Sequence, residues 1–198
     1  MSAVGVQPTA QSYHAIISYL GQTAQNGGVL ALDVGSAVST LSASVAGHTS
    51  TTIRTDIGMG HSARSLLDGV GLDEVRKWLP FQASDNEILA YALNKSVRPA
   101  TIPETQRALY LEHALLRAGI GALLNASRPL WEQKLDPTGV GDMPAFSHII
   151  GAGAALTRTG HPGFNALLLL DALQPTGVTT LQADPYGLIA ALGALARI

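Results

Sequence analysis

A chain of 198 residues, 46% apolar and 13% charged, has the length of one domain and enough aliphatic side chains to bury a sizeable core, which excludes intrinsic disorder. Its 12 basic and 14 acidic residues, a net charge of −2 with no basic cluster, give a nucleic acid or an anionic membrane surface nothing to hold. The absence of cysteine removes disulfides, thiolate nucleophiles and iron–sulfur clusters, and leaves six histidines as candidates for metal or acid–base work.

Residues 1–10 lack the basic start and apolar centre of a signal peptide, and the longest aliphatic run, 166–170, is too short to cross a bilayer. A cytoplasmic location is therefore expected. Over residues 9–25, Tyr13, Ile16, Ile17, Leu20 and Ala24 recur at helical spacing and predict a leading amphipathic helix, ended by Asn26-Gly27-Gly28. The short apolar run 29–32 suits a strand buried on both faces and leads straight into Asp33-Val34-Gly35-Ser36. Residues 40–46 alternate small side chains, Gly47-His48 marks a reversal, and 49–55 is rich in β-branched residues. These predict a three-stranded meander.

The middle of the chain is predicted helical. Leu66 and Leu67 fall in one short segment, and Leu72, Val75, Trp78 and Leu79 in another that Pro80 closes. Ser84 with Glu87 fits a capping box opening a helix to about Lys95. Pro99 and Pro103 bracket a break, after which a long helix is expected over 104–125, with Gly119 and Gly121 pointing to a close contact. Three prolines and two glycines make 127–144 read as a loop. The last third alternates: a strand at 146–150, a Gly-Ala turn, a helix at 162–173, a strand at 178–181 and a helix from Pro185 onward. Alternation of this kind calls for a sheet covered by helices rather than a bundle.

Three segments carry possible chemistry. In Asp33-Val34-Gly35-Ser36 a glycine lets the backbone approach an anion, successive N–H groups can form a nest, and the aspartate can hold a hydrated Mg²⁺. Ser36, Ser39 and Thr40 would add hydroxyl donors, although a plain structural turn explains the same residues. Small residues in Gly151-Ala152-Gly153-Ala154 let a flat ring lie against the backbone, or let a helix pack closely on the sheet. Asp56 and His61 leave the third strand through two glycines, where they either share a cleft with Asp33 or cap a turn. The other histidines show no metal-ligand spacing.

Taken in order, 28–37, Arg54-Thr55-Asp56-Ile57-Gly58-Met59 with Ser62-Ala63, Ile149 to Ala154, and Asp184-Pro185-Tyr186 through 193–196 resemble one branch of the actin-like ATPase superfamily: the MutL (glutamate mutase accessory) proteins, related to the reactivating ATPases of adenosylcobalamin-dependent dehydratases. The resemblance implies one ribonuclease H-like lobe over 1–198, a five-stranded mixed α/β sheet in the order β-β-β-α-β-α-β-α, with a helical insertion at 61–100. It implies a phosphate loop at 33–39 and an adenosine loop at 151–154, so that Asp33, Gly35, Ser36, Ser39, Asp56, Gly151, Gly153 and Ala154 would bind ATP or ADP, with Asp33 on Mg²⁺.

This chain departs from that pattern at several positions. The family's phosphate loop usually reads Asp-Val-Gly-Gly-Ala-Thr-Thr-Asp, whereas Ser36, Val38, Ser39 and Thr40 stand here for its second Gly, two Thr and last Asp. The adenosine loop has Ala154 in place of a second consecutive Gly. Only one Asp-x-Gly turn of this kind is present, so one lobe at most is expected, as a fragment or a reduced relative, and ATP hydrolysis would need a second lobe. The resemblance implies an accessory or chaperone-like module for an enzyme, a cobalamin-dependent one included. The alternative is an interaction domain that binds no nucleotide and oligomerises. Either way a protein partner or self-association is expected, with the leading helix and the insertion supplying the docking face.

Overall fold

The computed structural model describes residues 8–24, 27–135 and 144–195, with the side chains of 132–135 excepted. The chain runs α1 (Thr9–Thr23), β1 (Gly28–Val34), β2 (Ser39–Val45), β3 (His48–Arg54), α2 (Ala63–Val70), α3 (Leu72–Arg76), α4 (Asp85–Val97) and α5 (Gln106–Leu135). It continues through β4 (Phe146–Ala152), α6 (Ala154–Thr157), α7 (Pro162–Leu173), β5 (Thr180–Asp184) and α8 (Leu188–Leu195). The five strands form one mixed sheet in the order β3-β2-β1-β4-β5. β1, β2 and β3 are antiparallel, while β4 runs parallel to both β1 and β5. The expected five-stranded mixed sheet is present.

Side chains alternate across the sheet, and each face has its own cover. Val29 and Ala31 of β1 join Ile150 and Ala152 of β4 under Tyr13, Ile16 and Ile17 of α1 and Ile189 of α8. Leu30, Leu32 and Val34 point the other way, into a larger core with Leu41, Leu66, Leu115, Leu116, Ile120, Leu123 and Leu169. α1 and α8 cross so closely that a Cβ at Gly193 would overlap the Ser12 carbonyl.

This arrangement corrects the expected docking face. The apolar side of α1 is turned onto the sheet, with Ile17 fully buried. The segment 61–100 likewise sends Leu66, Leu67, Val75, Ile88 and Ala92 into the large core. Both elements are covered by their own fold, because an amphipathic helix beside a bare sheet face gains most by burying its stripe there.

The loop expected from Ser127 is also corrected: α5 continues through Pro129 to Leu135. Proline inside a helix costs about 3 kcal/mol. Trp131 offsets this, being buried with its ring edge-on to Phe146 at 5.7 Å, since loss of a buried Trp is worth roughly 3–5 kcal/mol. The stretch 136–143 of that expected loop lies outside the described residues. Two further boundaries move at the C-terminal end. β5 begins at Thr180 and reaches Asp184, whose carboxylate oxygens accept the N–H groups of Leu188 and Ile189, each at 2.9 Å, and so cap α8. The expected cap of α4 is found: the Glu87 N–H donates to Ser84 Oγ at 3.2 Å.

Candidate functional site

β1 and β4 are adjacent and parallel, with Leu32 opposite Gly151 and Asp33 opposite Ala152. Their C-terminal ends therefore leave the sheet side by side. The turn after β1 and the turn after β4 touch: Gly153, at φ 97°, lies so close to Val34 that a Cβ would overlap the Val34 carbonyl. Beside this contact opens a cleft of about 540 Å³, with Val34, Gly35 and Ser36 on one wall and Ala154, Ala155, Arg158 and Thr159 on another. That volume is in the range of small-molecule sites. The third wall comes from the insertion and α5, through Lys95, Leu109, Glu112 and His113 and the segment 99–103.

The expected site residues divide into four groups. Gly35, Ser36 and Ala154 line the cleft. Gly151 and Gly153 lie in the backbone behind it, and packing accounts for both, since a Cβ at Gly151 would come within 2.6 Å of Leu156. Ser39 is fully buried and its hydroxyl donates to the Ile57 carbonyl at 2.9 Å. Asp33 and Asp56 face elsewhere.

Asp33 has the parity of Val29 and Ala31, so its carboxyl group falls on the α1 side of the sheet. There it meets the Tyr13 phenol. Burial, reinforced by Asp184, raises the Asp33 pKa, and the Tyr13 bond only partly opposes this. The phenol of Tyr13 is raised in turn by burial and by Asp33. A carboxyl group held this way is a packing element of α1, and the Mg²⁺ role expected of Asp33 does not fit the cleft. Asp56 sits in a separate surface groove with Arg54, Leu66 and Lys77. The Arg54 guanidinium, by a two-pronged bond, holds its pKa below the usual carboxylate value.

The turn 33–38 is less a nest than a socket. The Gly35 N–H closes onto the Val38 carbonyl at 3.1 Å, while the carbonyls of Gly35 and Ser36 accept the N–H groups of Met59 and Gly60, both at 2.9 Å. Ser36 Oγ accepts the His61 N–H at 3.2 Å. These bonds staple the segment following β3 onto the end of β1.

Sequence reasoning missed the charged side of the cleft. Lys95 and Glu112, each 6% exposed, form an ion pair at 3.1 Å. Lys95 Nζ also donates to the Thr101 carbonyl at 2.9 Å, and the Tyr91 hydroxyl donates to the other Glu112 oxygen. His113 is buried, with its pKa lowered first by burial and then by Arg117. A signal was available: Lys95 follows Ile88 and Ala92 at i+7 and i+3, and Glu112 lies between Leu109 and Leu116 on the same stripe. A charged residue on the buried side of a helix needs a partner.

The cleft thus offers Arg158 and the paired Lys95 and Glu112 beside apolar contacts from Met59, Leu109 and Ile102. Such a surface suits a ligand with an anionic end and a flat apolar part. Among the described residues no cluster of three or more His, Asp or Glu could hold a metal ion, and no helix is long and apolar enough to cross a membrane. A family model described as MutL protein matches residues 1–198, and a search of curated proteins gives no match. The chain belongs to the MutL family.

Proposed function

We propose that this MutL-family chain is an accessory module that holds a nucleotide, ATP or ADP, in the cleft between the ends of β1 and β4 and serves a protein partner, a cobalamin-dependent enzyme being one candidate. The observation carrying this reading is the meeting of the two turns at one 540 Å³ cleft bordered by Arg158 and Lys95. Arg158 pairs with the phosphates, and Met59 and Leu109 pack on the base. Magnesium entering with the phosphates is held by them and by water, as is common for this ion. With Asp33 turned to Tyr13, the module binds and signals rather than hydrolyses.

Calorimetric titration of Mg-ATP and Mg-ADP into the wild type and Arg158→Ala tests this reading. Loss of one charge-assisted contact weakens affinity by about tenfold or more. A second reading rests on a different observation, that Gly151 and Gly153 are both accounted for by internal packing. On that reading the lobe is an interaction domain without a nucleotide, and no heat of binding appears up to millimolar nucleotide.

A further inference from the structure

Between α4 and α5 the chain crosses the cleft as a short strap, 99–103, with a proline at each end. Cavities lie on both sides of it: the 540 Å³ cleft and a second of about 580 Å³ lined by Tyr91, Asn94 and Arg98. Thr101, Ile102 and Pro103 border both, so the strap is a partition. Ile102 is 81% exposed, which leaves the outer side of the strap without cover. The Thr101 N–H and hydroxyl both reach back to the Arg98 carbonyl, a bond local to the turn. Among the described residues, the side-chain hydrogen bond from the helical core to the strap is Lys95 Nζ on the Thr101 carbonyl, at 2.9 Å. Lys95 itself is held from behind by Glu112, which is held by Tyr91.

We propose that the strap is a gate over the cleft and Lys95 its latch: the ammonium group ties down Thr101 when the cleft is empty and turns to an anionic group of the ligand when it is filled. Lys95 lines both cavities, so its charge is placed to face either the strap or an anion. An ammonium group has three donors and no fixed fork, and can keep its bond to Glu112 while exchanging a neutral carbonyl for an anion. The two prolines fix φ at the ends of the strap, so it shifts as a unit. Lys95 is a positioning residue here. The inference rests on the reading of the cleft as a ligand site, but needs only an anion, not a nucleotide.

The test uses the full chain, whose lack of cysteine allows a nitroxide label on Ala100→Cys alone, an exposed position of the strap. Removing Lys95 singly would strand Glu112 in the interior, so the latch is deleted as Lys95→Met with Glu112→Leu, a replacement of a buried pair by apolar residues that folds tolerate. A mobile component is expected in the label's spectrum for that variant and a restrained one for the parent without ligand. Identical spectra overturn the latch. Sodium pyrophosphate and Mg-ATP, each at millimolar concentration, are then added to the labelled parent. A shift toward the mobile spectrum with either anion supports the exchange, and no shift with either overturns it. Pyrophosphate moving the strap while Mg-ATP does not bind would uphold the gate and refute the nucleotide reading.

Discussion

Tyr13 and Asp33 bring a phenol and a carboxyl group together where α1 covers the end of β1, with Asp184 close enough to raise both groups. The pH dependence follows from the direction of the Asp33 shift. Its folded pKa stands above the ordinary 3.8, so its contribution is complete below that value and is lost as pH rises through the folded one. Asp33→Asn removes this dependence. Urea unfolding at acid and neutral pH should show the wild type losing stability relative to the variant as pH rises. The same variant should leave nucleotide affinity within about twofold, because the carboxyl group lies outside the cleft.

His113 works in the opposite sense. Burial and Arg117 lower its pKa from the ordinary 6.5, so the stability it contributes is present above that value and lost as pH falls through the folded one. Thermal melts between pH 7.5 and 5.5 should show a drop for the wild type that His113→Gln lacks. A melt equally pH-sensitive in both would assign the effect to other groups.

Gly153→Ala should be far more damaging than Gly151→Ala. At Gly153 the backbone is left-handed and a Cβ meets the Val34 carbonyl, so strain of roughly 1–3 kcal/mol adds to a backbone collision. At Gly151 the obstruction is the end of the Leu156 side chain, which can rotate. Denaturation midpoints of the two variants compare these directly.

Trp131→Ala should lower stability by roughly 3–5 kcal/mol and remove helix signal beyond the amount a single residue carries. The turn of α5 that follows Pro129 is held by this ring against Phe146. Far-ultraviolet circular dichroism reads the loss, and an unchanged helix content would mean that Pro129 alone sets the path of the chain.

Much of the architecture was legible in the chain. The run 29–32 between Gly28 and Asp33, the small alternating residues of β2 and the capping pair Ser84 and Glu87 each state a local rule that the fold obeys. Expectation and fold part where tertiary contacts outweigh local ones. Pro129 signals a break, but the burial of Trp131 wins. Asp33 follows a strand into a glycine turn, the pattern of a phosphate loop, while strand parity turns its carboxyl group toward Tyr13 on the other face. Lys95 and Glu112 are paired only by the packing of α4 on α5, a contact that neither helix states alone.

The seam where Gly193 meets the Ser12 carbonyl bears on the order of assembly. One layer of the molecule is completed by the first and the last of the described helices, with Ile150 and Ile189 beneath Tyr13 and Ile17. The greasy stripe of α1 can lie on β1 early, but its shelter closes only when α8 arrives, after every other described element. Partners so distant along the chain are slow to meet, so α1 stays partly bare and open to holding chaperones during synthesis.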